Sequence, residues 1–134
     1  MAGFLLDTNH MGAAIRRVSE LRDRIDQARR SGLALGTCTP VLCELEVGIQ
    51  QTHQPAVYRR SLTLLLSKVR LWPIDRNVAR SYGEIYLRLR RQGRALSSVD
   101  IMLAALAKLM NLTLLTTDRD FEALPDIRTE DWLT

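Results

Sequence analysis

The chain has 134 residues, 46% of them hydrophobic and 25% charged, with a formal net charge of +4. That length buries a core without disulfide or metal staples, and that composition excludes a disordered or fibrous chain, so a single domain over residues 1–134 is expected. The basic excess rests on 17 arginines and two lysines, Lys68 and Lys108; a planar guanidinium suits phosphate oxygens, although a GC-rich genome produces the same bias.

The first apolar stretch, Phe4-Leu5-Leu6, is too short for a signal peptide or a membrane span, which predicts a cytoplasmic protein with no membrane partner. Gly3 to Leu6 reads as a short buried strand, followed by a charge-rich helix from about Val18 to Arg30 that stops at Gly32. Leu33 to Cys38 is the second strand. Thr39 then caps a helix that accepts Pro40 in its first turn and carries Glu44. A further helix covers about Pro55 to Lys68, and Val69 to Ile74 makes the third strand. Asp75 caps a helix from about Arg76 to Gln92, which Gly93 ends. Ser97 or Ser98 caps an almost wholly apolar helix, Val99 to Met110, and Leu112 to Thr116 is the fourth strand. A last short strand falls around Ile127 to Thr129. Strands alternating with helices imply parallel pairing, right-handed crossovers and a three-layer α/β domain that binds its ligand at the carboxyl ends of the strands.

Metal chemistry through nitrogen or sulfur finds little here. Cys38 and Cys43 form no CxxC pair and read as small buried hydrophobes; His10 and His53 are the only histidines, which excludes an HExxH zinc site and gives a Ser-His-Asp triad little to rest on. Any ligands would be oxygen, favouring Mg²⁺ or Mn²⁺. Arginine clusters at Arg16-Arg17, Arg22 and Arg24, Arg29-Arg30, Arg59-Arg60, and Arg88, Arg90, Arg91 and Arg94 serve either a nucleic-acid contact or a solvated helix face.

The acids carry more information. Asp7 follows the first strand directly, with Thr8 and Asn9 in reach to hydrogen-bond around it; a plain Asx turn or helix cap also fits. Glu44 and Glu46 both flank the apolar stripe of Val41, Leu42, Leu45 and Ile49, and the helical wheel does not choose between them. Gly48 would let another backbone approach beside Glu44. Asp100 opens an otherwise apolar helix, where an unpartnered carboxylate is costly, and it also completes an acidic capping box with Ser97. Asp118 and Asp120 follow the fourth strand beside Thr116 and Thr117, whose hydroxyls could orient a water. Asp75 looks like an ordinary N-cap and stays outside the site. Carboxylates gathered from such distant segments repel one another unless a divalent cation intervenes, so a hydrolytic metal site is the leading reading. A phosphoacceptor receiver would want an acidic pair after the first strand and a lysine near the last, and a nucleotide-binding Rossmann domain a Gly-rich loop after Leu6; neither is present.

In order and with this spacing, the four signatures Leu5-Leu6-Asp7-Thr8-Asn9, Glu44-Leu45 with Gly48, Val99-Asp100-Ile101-Met102-Leu103-Ala104-Ala105 and Leu114-Leu115-Thr116-Thr117-Asp118 resemble those of the PIN-domain ribonucleases. Within that family they are similar to the VapC toxins of VapBC toxin–antitoxin systems, over nearly the whole chain. The resemblance selects Glu44 over Glu46, and Asp118 as the fourth acid with Asp120, before Phe121, as its substitute. It implies a PIN-like, Rossmann-like fold with a mainly parallel sheet between helices, and a Mg²⁺- or Mn²⁺-dependent endoribonuclease. Asp7, Glu44, Asp100 and Asp118 would hold one or two cations that activate water against an RNA phosphodiester, with Asn9 and Thr116 supporting them. Implied partners are RNA, a small VapB-like antitoxin and a second copy in a homodimer. The competing expectation is a PIN-like module that has lost catalysis and binds RNA or protein.

Overall fold

The computed structural model describes residues 3–16 and 19–134. The elements are β1 (Gly3–Leu6), α1 (Thr8–Ile15), α2 (Ser19–Arg30), β2 (Ala34–Cys38), α3 (Thr39–Gln51), α4 (Pro55–Leu66), β3 (Arg70–Trp72), α5 (Arg76–Arg91), α6 (Ser98–Met110), β4 (Thr113–Leu115), a 3-10 turn (Arg119–Ala123) and β5 (Thr129–Glu130). The expected helix start at Val18 and the Arg17 half of the Arg16-Arg17 pair lie outside the described residues.

All five strands join one parallel sheet in the order β3-β2-β1-β4-β5. β1 and β4 sit at its centre, with Leu5 in register with Gly36 on one side and Leu114 on the other. Helices cover both faces, so the central strands are apolar runs rather than alternating ones. Leu5, Leu6, Leu114 and Leu115 are fully buried with Met11, Leu103 and Leu106. This is the three-layer α/β arrangement expected from the alternation of strands and helices. Right-handed crossovers put α1 to α4, which precede β3, on one face and α5 with α6 on the other. α5 packs along α6, and α1 packs on α3 and α4.

Particular residues set the boundaries. Pro73 cannot donate to a ladder and closes β3 after Trp72, short of the expected Ile74. Gly36, mid-strand in β2, tolerates no side chain: a Cβ there would lie 2.7 Å from both the Arg70 carbonyl oxygen and the Trp72 ring. Asn111 ends α6 in the left-handed region with φ of 55°. The last strand pairs at Thr129 and Glu130, later than expected, because Ile127 is held in a turn by its N–H donating to the Leu124 carbonyl at 3.0 Å.

Three local expectations need correction. Helix α1 has no strong amphipathic signal in its sequence, yet the Asp7 side chain caps it and it buries His10, Met11, Ala13, Ala14 and Ile15. Cys38 is buried, whereas Cys43 is exposed, because the buried stripe of α3 runs through Val41, Leu45 and Ile49 and turns position 43 outward. Cys38, not Thr39, is the N-cap of α3, with no side-chain bond there. Among the described residues no helix is long and apolar enough to cross a membrane.

Candidate active site

The chain leaves β1 toward β2 on one side and reaches β4, on β1's other side, from β3. Such a reversal opens a crevice at the carboxyl ends of the two strands, where α/β folds bind ligands. Asp7 is the first residue past β1, and its backbone N–H donates to the Leu115 carbonyl of β4 at 3.2 Å. Asp118 lies three residues past β4. Glu44 reaches the crevice from α3, and Asp100 from the first turn of α6. Together with Thr8, Asn9 and Ser97, these four acids line one open cleft of about 300 Å³.

Their settings differ. Asp7 is buried, 6% exposed, and its Oδ1 accepts the His10 backbone N–H at 2.8 Å, which starts α1. The cap and the cleft lining are therefore the same carboxylate. Glu44 is exposed and accepts the Thr8 hydroxyl at 2.5 Å. The Ser97 hydroxyl oxygen accepts the Asp100 backbone N–H at 3.1 Å, closing the cap of α6. Burial pushes the Asp100 carboxyl above its usual range; the Ser97 side chain beside the carboxyl opposes this, and the negative charges of Asp118, Glu44 and Asp7 add to it.

At the far wall, Asp118 Oδ1 accepts the Asp120 backbone N–H at 2.8 Å and so caps the 3-10 turn. Asp120 itself is exposed and is not among the residues lining the cleft. The Thr116 hydroxyl accepts the Asp118 backbone N–H at 3.0 Å, so it steadies the loop rather than a carboxylate. Asn9 lines the cleft, and its amide donates to the Thr117 hydroxyl at 3.4 Å. Glu46 points elsewhere, hydrogen-bonded to Arg59 of α4 and to Gln50, and these bonds hold its carboxyl below the usual range. A Cβ at Gly48 would meet nothing within 4 Å, so no backbone among the described residues approaches there. Asp75 caps α5, accepting the Val78 N–H at 3.0 Å.

Two electrostatic facts define the cleft. Among the described residues, no arginine or lysine is ion-paired with Asp7, Glu44, Asp100 or Asp118. Nor do any three acidic, histidine or cysteine groups among them stand close enough to grip one ion as they are. The acids form an open, uncompensated ring of hard oxygen donors. Such a set suits a cation that keeps part of its water shell.

The sequence reading gave His10 no role, and the structure does. His10 is completely buried, with Nδ1 3.0 Å from Asp7 Oδ1 and Nε2 accepting the Trp132 backbone N–H at 3.1 Å. Its signal was the i, i+3 spacing from a helix-capping acid, which brings the side chain back over the cap.

Residues 4–127 match the family model described as PIN domain. The tRNA(fMet)-specific endonuclease VapC of Salmonella typhimurium is 30% identical over 134 residues, covering 98% of this chain and 99% of that protein. The DNA-bound VapBC of Salmonella typhimurium aligns with a TM-score of 0.88 and 28% identity, over 98% of this chain and 99% of that one. VapBC2 of Rickettsia felis, bound to a promoter DNA fragment, aligns with a TM-score of 0.89 over 98% and 99%, and at 22% identity it speaks to fold alone. The chain belongs to the PIN-domain family, in its VapC ribonuclease branch. Nucleases of this class depend on a metal ion.

Proposed function

We propose that this protein is the toxin of a type II toxin–antitoxin pair, a Mg²⁺- or Mn²⁺-dependent endoribonuclease that hydrolyses RNA phosphodiester bonds at the Asp7, Glu44, Asp100 and Asp118 cleft. One observation carries the reading: β1, α3, α6 and the loop after β4 deliver four carboxylates to one crevice without a paired guanidinium or ammonium among the described residues. Burial first, and then the charges of Asp118, Glu44 and Asp7, raise the Asp100 carboxyl, and a divalent cation relieves that repulsion. When bound, that cation supplies the positive charge that activates water at neutral pH and offsets charge on the phosphate.

The chain's own residues set the rest. Asp7 and Asp118 are fixed by the turns they cap, so two carboxylates arrive with restricted freedom, while Ser97 holds the backbone N–H of Asp100. Thr8 orients Glu44 through its hydroxyl. A groove of about 270 Å³ continues from Thr8, Asn9 and Glu44 past Gly12, Leu45 and Tyr58, with Arg16 on its wall. Arg16 there meets the phosphate backbone on either side of the cut. The same groove's apolar floor receives a segment of a small VapB-like antitoxin. The outward face of α3 and its neighbours, with Val47 60% and Leu71 49% exposed, pairs with a second copy in a homodimer. The whole of 1–134 acts as one domain, in the cytoplasm.

The test is cleavage of total cellular RNA by purified protein with Mg²⁺ or Mn²⁺, with EDTA and Asp100→Asn in parallel. Discrete cleavage lost in both controls is expected. If wild type and Asp100→Asn leave identical RNA in preparations free of antitoxin, the cleft is a binding site on an inactive PIN-like module.

A further inference from the structure

Burying an imidazole completely is unfavourable unless both ring nitrogens find partners. In His10 both do. The Trp132 backbone N–H points at Nε2 from 3.1 Å, and an amide nitrogen only donates, so Nε2 must present its lone pair. The proton of the neutral ring then sits on Nδ1, from which it is donated to Asp7 Oδ1 at 3.0 Å. The His10 backbone N–H reaches the same oxygen at 2.8 Å. Oδ1 is thus taken twice by one residue, and among the described residues no protein donor bonds Oδ2, the oxygen left to face the cleft.

The Trp132 amide is itself held in place. Its indole packs on Phe4 of β1 with ring centroids 4.8 Å apart, and the Arg24 guanidinium of α2 lies 4.4 Å over it. Asp131 is turned onto the Leu133 N–H at 2.8 Å and the Thr134 hydroxyl at 2.6 Å. Its Oδ1 stays 3.8 Å from His10 Nε2, beyond hydrogen-bonding distance, which leaves that nitrogen to the amide. Trp132 lies beyond residue 127, where the family match ends.

We propose that His10 is a positioning residue: the C-terminal segment, through the Trp132 amide, fixes the Nδ1–H tautomer of His10, which locks Asp7 with Oδ2 turned to the cation. This rests on Asp7 being a cation ligand, as argued above. Donors to a ligating carboxylate set its orientation, and their loss typically lowers metal affinity by about ten- to a hundredfold.

The experiment combines Mn²⁺ titration by calorimetry with ¹⁵N spectroscopy of the imidazoles. His10→Phe keeps the ring's bulk and removes both nitrogens, and it is expected to weaken Mn²⁺ binding about tenfold or more. His10→Asn places an amide N–H where Nδ1 stood and is expected to recover most of that loss. A purely structural role would lower the melting temperature of both variants and leave their Mn²⁺ affinities equal to wild type, which overturns the proposal. Equal loss in both folded variants overturns it too, because the donor would then be irrelevant. Should a variant fail to fold, the wild-type spectrum decides: a protonated Nδ1, and an unprotonated Nε2 coupled to the Trp132 amide nitrogen, supports the lock. The opposite tautomer or a doubly protonated ring sinks it. Asp7→Asn binding Mn²⁺ as tightly as wild type would instead overturn the active-site reading, and His10's role with it, while leaving the tautomer result unchanged.

Discussion

Asp126 and Asp100 are the same residue type in opposite settings. Near the end of α5, Asp126 takes both nitrogens of Arg88, at 3.1 and 2.7 Å, with Lys108 of α6 at 3.4 Å, and its carboxyl is held down to about 2 by Arg88. In the cleft, burial first and then the neighbouring acids push Asp100 up. Elsewhere the chain also spends cations on acids, with Arg59 on Glu46 and Arg29 and Lys68 near Asp26. A chain so rich in arginine that, among its described residues, leaves four gathered carboxylates without one has kept that negative charge for a ligand. Paired acids hold the fold together, and unpaired ones prepare a function that weakens it.

The sharpest way to break this contrast is Asp100→Asn. It should reduce RNA cleavage on the order of a hundredfold or more, since it removes an anion from the charge-stabilising ring. In EDTA the same variant should melt about 2–4 °C above wild type at neutral pH, because it removes one repelling charge. That gain should shrink in acid, where the folded wild type takes up its proton at Asp100 before the unfolded chain does. A variant that lost activity and stability together would place Asp100 among the structural acids.

Gly36→Ala makes the complementary lesion, in the sheet and away from the cleft. Its Cβ would press on the Arg70 carbonyl and the Trp72 ring, neither of which is a flexible side-chain tip. Overpacking of this kind typically destabilises by about 1–3 kcal/mol. Denaturant unfolding should show that loss, while cleavage per folded molecule stays within about twofold, in keeping with additivity of distant sites.

What the sequence made legible follows the same division. Asp7, Asp100 and Asp118 could be placed because each borders an apolar run whose length and type are local properties. The helical wheel left Glu44 and Glu46 open, since both flank one stripe, and the family resemblance chose Glu44; the fold adds a physical reason, with Arg59 of α4 capturing Glu46 while Glu44 turns to Thr8. Asp118 and Asp120 follow the same strand, so the sequence ranked them as first choice and substitute; the 3-10 turn that Asp118 caps leaves Asp120 exposed and outside the cleft lining. Helix α1 stayed hidden because Thr8, Asn9 and Gly12 dilute its period, and its stability comes from the cap and from packing on α3 and α4. His10 carried only its i, i+3 spacing from Asp7, since its second partner lies 122 positions along the chain.

The smallest expected effect belongs to the paired side of the contrast. Arg88 lowers the folded-state pKa of Asp126 from 3.8 to about 2, so between those values the unfolded chain binds a proton that the folded one does not. The pair's contribution is therefore complete above pH ~4 and lost as pH falls toward about 2. Asp126 keeps 39% of its side chain exposed, so solvent screening limits the contribution to about 1 kcal/mol or less. Arg88→Ala should lower stability by that amount at pH 7, and the difference from wild type should vanish by about pH 2. Raising the salt concentration should shrink it as well, since the pair is exposed. If instead the difference persisted in acid, Arg88 would be contributing through the packing of its stem on α5 and α6 rather than through its charge. The contrast with Asp100 would then rest on the cleft alone.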